Sequence, residues 1–248
     1  FSIHESMCEY FGKLGCKQFL KGKPICFGNK LWCICTTLGY LLSGEPYQKK
    51  YGANIDDRER ETRKKEGRQV NQMLVSGMLP YIDDKNKNKL GLGGSVVTEM
   101  VSRMKAKFHN CFHVFFDNFF SSLKLVRMFS TIGVKCADIV RDNRIENCPN
   151  LTQKQMRNKA GSFYDCIVDA KSEIFVCRWK DNSADKVVSN AHGLQPKQLG
   201  KRYSRENRSK VTVEQPFSIC RYNANTGGVD RVDQNIAKYR NIRGKKWY

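Results

Sequence analysis

The feature that most constrains this chain is a carboxylate at the end of a short, strongly apolar run. Residues 111–116 read Cys-Phe-His-Val-Phe-Phe, and Asp117 follows, ahead of an asparagine and a second Phe-Phe pair. Such a run is typical of a buried strand. Because an ionised carboxylate is costly to bury without a partner, Asp117 is expected to have a functional role. The alternative is an aspartate that caps the next helix or makes a local turn.

Strand and helix patterns alternate around this run. Residues 24–37 and 39–48 are rich in β-branched and aromatic residues and predict two strands joined by a tight turn. Residues 134–140 predict another strand. This order of strands, together with the helices between them, predicts an α/β sheet.

Two helices are predicted on either side of the apolar run. In the first, Ser95 is a candidate N-cap, and the following apolar residues recur at helical spacing: Val97, Met100, Val101 and Met104. Gly91, Gly93 and Gly94 then form the turn that leads into this helix. In the second, Ser121 or Ser122 caps a helix that runs to about residue 132.

The character of the chain changes after residue 140. Residues 162–189 alternate between apolar and polar side chains and predict a small antiparallel meander. Residues 197–210 carry six basic residues against one glutamate and predict a mobile basic loop. Helix resumes after Pro216. The predicted domains are therefore a core over residues 1–140, an insertion over 141–214 and a final helical part of the core over 215–248.

The net charge indicates the class of partner. Lysine and arginine total 44 against 24 acidic residues, a formal charge of +20. Such an excess of positive charge attracts polyanions, and the release of counterions from neutralised phosphates makes the free energy of binding more favourable. No stretch approaches the roughly 20 apolar residues that span a bilayer. We therefore expect nucleic acid as the partner, and no membrane.

The cysteines indicate a reducing environment. There are 11 of them, an odd number, with no Cys-x-x-Cys pair. Cys33 and Cys35 are too close for an ordinary zinc knuckle and fit alternate positions of a strand. We expect an intracellular protein without a disulfide framework.

Two further carboxylates lie near the C-terminal end. Asp230 and Asp233 are three residues apart, so a helix places them on one face, and Gly227-Gly228 provides the turn before it. Gathered carboxylates hold the two divalent ions of a phosphodiester reaction about 4 Å apart. Two acidic residues near a helix N-terminus also complement the helix dipole, which is the alternative interpretation.

Eight ordered segments give the chain a family resemblance. They are FSIHESM at 1–7, GKPI with GNKLW at 22–32, LGLGGSVV at 90–97, FFDNFFS at 115–121, VCRWKDN at 176–182, VSNAHG at 188–193, YN to GVDRVDQ at 222–234, and RGKKWY at 243–248. Together they closely resemble the piggyBac transposase family over essentially the whole chain.

This resemblance implies a fold, a reaction and a set of site residues. The implied fold is α/β, with a ribonuclease-H-like mixed sheet, flanking helices and a mainly β insertion domain. The implied reaction is cut-and-paste DNA transposition at TTAA sites, with three catalytic aspartates and Mg²⁺ or Mn²⁺. Asp117 corresponds to the second aspartate, Asp230 to the third, and Asp233 to a further acidic position of the metal site. The first aspartate aligns with His4.

The substitution at His4 weakens the predicted chemistry. A neutral imidazole offers one nitrogen, cannot bridge two ions and matches Mg²⁺ poorly. Glu5 is adjacent, but neighbouring strand residues point to opposite faces. We therefore predict a transposase-derived DNA-binding domain with impaired strand cleavage and transfer. An active or residually active metal-dependent DNA transposase or endonuclease is the alternative, with manganese or zinc supporting the residual activity. A structural interaction remnant is a third interpretation.

The resemblance also favours phosphate contacts by the basic stretches over a merely solvated basic surface. These candidates are Lys197, Lys201, Arg202, Arg205, Arg208, Lys210, Arg240, Arg243, Lys245 and Lys246. The expected partner is DNA, as transposon ends or TTAA targets, and the expected location is the nucleus. Homodimer formation stays open. The chain is expected to be part of a longer protein.

Overall fold

The computed structural model describes residues 1–10, 17–21, 25–47, 84–108, 111–145, 148–181, 184–204 and 207–239. The charged stretch at 56–69 lies outside these ranges. So do the candidate DNA-contact residues Arg205, Arg240, Arg243, Lys245 and Lys246. In the described part of the chain, no helix has the length and apolarity needed to cross a membrane.

Strands make up most of the described elements. Their bounds are β1 Ser2–Glu9, β2 Gln18–Phe19, β3 Phe27–Cys35, β4 Leu41–Pro46, β5 His113–Phe116, β6 Lys135–Ile139, β7 Tyr164–Asp169, β8 Ile174–Lys180, β9 Ala184–Ser189, β10 Gln198–Ser204 and β11 Ser209–Gln215. The strand predictions around residues 24–48, 111–117, 134–140 and 162–189 are confirmed.

The helices fall in three parts of the chain. Their bounds are α1 Asp84–Lys107, α2 Leu123–Thr131, α3 Gln153–Arg157, α4 Phe217–Asn225 and α5 Gly228–Tyr239, with a short 3-10 helix at Asp142–Arg144. Ser122 caps α2 by accepting a hydrogen bond from Leu125 N, as predicted. The helix predicted after Pro216 and the helical placement of Asp230 and Asp233 are also confirmed.

Nine of the described strands form one mixed sheet. Its order is β2-β3-β1-β5-β6-β9-β8-β7, and β4 also pairs with β3. β5 runs parallel to both β1 and β6, whereas β1–β3 and β6–β9 are antiparallel. The meander of residues 164–189 thus extends the central sheet through β9. The division into domains at residues 141 and 214 stays a prediction, and the sheet is continuous across the first boundary.

Helices cover both faces of this sheet. On one face, α1 and α2 bury an apolar core that includes Val97, Val101, Phe116 and Phe129. On the other face, α4 and α5 contribute smaller clusters around Tyr222 and Val232. The mixed α/β architecture with flanking helices agrees with the prediction. In this architecture, the ends of β1 and β5 lie beside α4 and α5.

The prediction that Ser95 caps α1 is wrong. The helix begins at Asp84, and Ser95 lies inside it, where its hydroxyl donates to Gly91 O (2.9 Å). The break that the glycines predicted is real, because Gly91 has φ 72° and ψ 172° in the middle of α1. Only glycine adopts such a conformation readily, and the helix restarts immediately after it.

The prediction of a mobile basic loop at residues 197–210 is also wrong. In the described part of this stretch, residues 198–204 form β10 and residues 209–210 begin β11, and the two strands pair as an antiparallel ribbon. Arg202 anchors the ribbon through an ion pair with Asp181 (2.7 Å) at the turn after β8. The basic residues dominated the local composition, but Val211, Thr212 and Val213 supply the β-branched strand that pairs with them.

Candidate catalytic site and basic ribbon

Strand β1 directs alternate side chains toward α4 and α5. Ser2 Oγ donates to Thr226 O (2.5 Å), and Ser6 Oγ donates to Asp233 Oδ1 (2.5 Å). His4 lies between these two serines, and the period-two alternation of a strand places it on the same face. Every second residue of β1 therefore faces the segment that carries the C-terminal carboxylates.

Glu5 belongs to the opposite face, as predicted. Its Oε2 lies 2.5 Å from Lys30 Nζ, and that ammonium lies 4.1 Å above the centre of the Trp32 ring. Trp32 is part of the core beneath α1 and α2. Because this ion pair holds Glu5 away from Asp117, Glu5 does not replace the carboxylate that His4 lacks.

The parallel pairing of β1 with β5 brings His4 beside Asp117. Ile3 is in register with Phe116, so the next residue on each strand is also a neighbour. His4 Nε2 lies 3.4 Å from Asp117 Oδ2, and both side chains are partly shielded from solvent. The family resemblance assigns these two residues to the first and second metal-binding positions, and the structure brings them together.

The contacts of His4 favour one tautomer. Glu5 N lies 2.8 Å from His4 Nδ1 and is placed to donate to it, while Glu5 O lies 3.1 Å from the same nitrogen and would accept from it in the other tautomer. The contact with Asp117 favours a proton on Nε2, since the other tautomer would place a lone pair against that carboxylate. In the favoured tautomer, the Nε2–H of His4 points toward Asp117.

Asp117 is also held by its own loop. Asn118 N donates to Asp117 Oδ1 (2.5 Å), so each carboxylate oxygen has a neighbour within the protein. Farther along, Arg141 Nη2 donates to Asn118 Oδ1 (3.0 Å). Arg141 was not identified from the sequence, since nothing in the local pattern distinguishes it from other basic residues.

The two C-terminal carboxylates have different surroundings. Asp233 faces β1 and accepts the Ser6 hydrogen bond, and its charge adds to the effect of burial in raising the pKa of the Cys33 thiol to about 12. Asp230 lies in the first turn of α5 with its side chain exposed. The structure does not bring Asp230 into contact with Asp117 or His4.

These donors do not fit a two-metal carboxylate site. Among the described residues, no three His, Cys, Asp or Glu side chains lie close enough together to hold a metal ion. The chemistry of the donors agrees with this, because the imidazole of His4 stands where a carboxylate oxygen would be needed. His4 and Asp117 are a close polar pair 3.4 Å apart that supplies one carboxylate, whereas a two-metal site needs several.

Two buried acids near this site were missed from the sequence. Asp138 on β6 is completely buried; burial raises its pKa well above the usual range, and the nearby Ser121 hydroxyl only partly offsets this. Burial likewise raises the pKa of the Tyr222 phenol, and the charges of Asp117 and Asp138 add to the effect. The only sequence feature that could have indicated the burial of Asp138 is its place in the alternating pattern of a predicted strand.

The ribbon of β10 and β11 presents an exposed outer surface. The outward residues pair across the ribbon as Leu199 with Glu214, Lys201 with Thr212 and Tyr203 with Lys210. All six side chains are exposed, and Arg208 adds a further exposed cation beside the turn. Of the predicted contacts, Lys197 forms an ion pair with Glu214 (3.3 Å) and Arg202 one with Asp181. Lys201, Arg208 and Lys210 thus form the basic part of this outer surface.

The comparisons define the class of protein. The family model described as Transposase IS4 matches residues 1–248. The solved structure of a piggyBac transposase synaptic complex with hairpin DNA aligns with 99% of this chain and 42% of that chain, at a TM-score of 0.62 and 16% identity. The chain therefore has a transposase-type fold.

The particular family follows from the human relatives. PiggyBac transposable element-derived protein 2 of Homo sapiens is 38% identical over the whole of this chain, and derived protein 3 is 37% identical. The chain belongs to the piggyBac transposase family. It spans 37% of the length of each of these two relatives.

Proposed function

We propose that this chain is a piggyBac transposase-derived DNA-binding domain with impaired strand cleavage. The observation that carries the second half of this proposal is the 3.4 Å contact between His4 Nε2 and Asp117 Oδ2. This contact supports the assignment of His4 to the first metal-binding position and gives a reason for the loss of metal-dependent strand cleavage. An imidazole in contact with Asp117 takes the place of a carboxylate that would help to bind Mg²⁺ or Mn²⁺.

The proposed fold is ribonuclease-H-like with an insertion. The strand order β4-β3-β1-β5-β6, with three antiparallel strands followed by two parallel ones, supports this description of the core. The later strands β7 to β11 then form the insertion, although three of them continue the core sheet. In this proposal, Asp117 and Asp230 are the remaining members of the ancestral catalytic set, and Asp233 belongs to its metal site.

DNA binding is proposed to depend on charge that the His4 substitution does not touch. The formal charge of +20 and the exposed cations of the ribbon both support a phosphate-binding surface. A two-stranded ribbon has dimensions that suit the major groove of DNA. We extend the proposal to a nuclear location and to transposon ends or TTAA sites as the ancestral targets.

The ribbon is tested with the double variant K201Q/K210Q. If both lysines neutralise phosphates, the slope of log affinity against log salt falls by about 2, and affinity at moderate salt falls roughly tenfold. Fluorescence anisotropy with a labelled duplex over a salt series measures both quantities. The matched control is K154Q/K171Q, which removes two exposed lysines from α3 and from the turn before β8.

The two double variants separate specific contacts from general attraction. Equal losses in both would mean that the total charge, and not the ribbon, binds DNA. No loss of affinity in K201Q/K210Q would remove the ribbon from the proposal.

Cleavage is tested with the same preparation, by incubating saturating amounts of protein with transposon-end DNA and Mg²⁺. Efficient nicking would overturn the proposal of impaired catalysis.

A further inference from the structure

A cavity lies between the middle of α1 and the loop that follows Asp117. Its volume is about 440 Å³. The lining residues are Leu90, Gly91, Leu92, Gly93, Gly94, Phe119, Ser121, Ser122, Lys124, Asn143 and Arg144. The ionisable side chains among these residues are both cationic, Lys124 and Arg144, and none is a carboxylate. The composition of the lining therefore suits an anion.

Arg144 is fixed in this cavity by the loop itself. Its Nη1 donates to three backbone carbonyls, those of Asn118 (3.0 Å), Phe119 (2.6 Å) and Ser121 (3.2 Å). These are neutral acceptors, so the guanidinium orders the loop without losing its charge. Arg144 forms no ion pair with any described residue.

Arg141 adds a second cation beside the same loop. It donates to Asn118 Oδ1, while Arg144 donates to Asn118 O, so the two guanidinium groups hold one asparagine from two sides. Burial, together with the charge of Arg141, lowers the pKa of Arg144. Arg141 is likewise without an ion pair among the described residues. A negative ligand would relieve the repulsion between these like charges.

The backbone around the cavity provides further donors. Gly91 interrupts α1, and Leu92, Gly93 and Gly94 of the restarted helix line the cavity, where the N–H groups at the start of a helix suit an anion. Gly93 also lets the helix approach the loop closely, since a Cβ there would lie 2.6 Å from Phe119 O. The start of α2 lines the cavity as well. These backbone groups add to the cationic side chains of Lys124 and Arg144, which are the main reason to expect an anion here.

We propose that this cavity binds a phosphate group of the DNA backbone. The inference rests on the proposed DNA-binding function and names a contact site for it that is separate from the ribbon. The loop of residues 117–122 joins the cavity directly to Asp117. A phosphate held by Arg144 and Lys124 therefore anchors the DNA next to the His4–Asp117 pair, whether or not that pair supports cleavage.

The first test follows backbone amide resonances of the wild-type chain by NMR. Titration with a short DNA duplex is expected to shift the amides of Leu92, Gly93 and Lys124, and inorganic phosphate is expected to shift the same amides more weakly. Shifts with inorganic phosphate but none with DNA would overturn the proposal in favour of a small-anion site. An absence of shifts with both ligands would overturn it outright.

The second test uses the variant K124Q with K154Q as its matched control. Both lysines are exposed residues of helices, so neither change is expected to prevent folding. K124Q is expected to lower the salt slope of DNA binding by about 1, and K154Q is expected to leave it unchanged. Equal slopes for the two variants would overturn the proposal.

The phosphate site and the proposed DNA-binding function fail in different ways. If the wild-type chain binds DNA and the ribbon variant weakens binding, but the cavity amides do not move, the cavity proposal fails and the proposed function stands. If the wild-type chain binds no DNA at any salt concentration, the proposed function and the cavity proposal both fail. The titration with inorganic phosphate then shows only whether the cavity binds a small anion.

Discussion

Replacing His4 with aspartate is expected to raise the affinity of the β1–β5 site for Mn²⁺ by about 100-fold or more. The change removes the Nε2–H that faces Asp117 Oδ2 at 3.4 Å and supplies carboxylate oxygens in its place. Hard divalent ions select oxygen ligands, and loss of even an outer partner of a metal ligand changes affinity by about 10–100-fold. Isothermal titration of the wild-type and H4D chains with Mn²⁺ measures the difference.

The matched control for this gain is H4N. Asparagine also removes the imidazole, but it brings a neutral amide and adds no charge, so its Mn²⁺ affinity is expected to stay close to that of the wild type. Equal gains in H4D and H4N would show that the imidazole merely blocked the site. No gain in H4D would mean that the placement of Asp230 and Asp233, and not His4, prevents metal binding.

Replacing Asp142, whose side chain is 53% exposed, with asparagine is expected to lower the free energy of unfolding by about 2 kcal/mol. Asp142 Oδ1 accepts from Lys186 Nζ (2.9 Å) and from the guanidinium of Arg178. Both cations are buried, with 2% exposure for the Arg178 side chain and 6% for Lys186. Removing the carboxylate leaves two buried charges without their shared partner, and urea denaturation measures the loss.

The stabilisation by Asp142 is expected to depend on pH. Partial burial acts to raise the pKa of this carboxyl, but hydrogen bonding and attraction from Lys186, followed by Arg178, outweigh burial and lower it. A lowered folded-state pKa contributes stability that is present above the unfolded value of about 3.9 and is lost as the pH falls through the folded value. The difference between wild type and D142N should therefore shrink in acid.

Asp169 provides the control for Asp142. It is the last residue of β7, its side chain is 40% exposed, and its Oδ2 is 3.9 Å from Arg127 Nη2, a kind of exposed pair that contributes little. Its carboxylate also accepts from Lys171 N (3.1 Å) and Ser172 Oγ (2.5 Å), and both of these donors are neutral. D169N is thus expected to unfold at nearly the wild-type urea concentration. Similar losses in D142N and D169N would contradict the role assigned to the buried cations.

Local patterns in the sequence predicted the elements that depend on short-range periodicity. The strand that ends at Asp117, the apolar face of α1 and the cap at Ser122 all follow from neighbouring residues. The pattern failed at Lys201, because a basic composition was interpreted as a loop although the residues pair with a β-branched strand. The prediction at Ser95 was also wrong, because α1 begins at Asp84, ahead of the expected start, and continues on both sides of Gly91.

The site depended on information that local patterns do not carry. The pairing of His4 with Asp117 joins segments more than 100 residues apart, and the family resemblance, not periodicity, indicated it. Contacts such as Ser6 with Asp233, or Asp142 with Arg178, depend on the order of strands in the sheet. Nothing in the sequence signals the exposure of Asp230, because an acidic residue in the first turn of a helix fits both a metal site and a solvated surface.

The central claim is that DNA binding persists while His4 has removed the metal-dependent chemistry. The most direct test measures Mg²⁺-dependent nicking of transposon-end DNA by the wild-type chain, at protein concentrations where anisotropy shows the DNA to be saturated, with H4D in parallel. We expect saturable, salt-sensitive binding by both chains and no nicking above background by the wild type. Nicking by the wild-type chain at a rate comparable to that of H4D would contradict this claim.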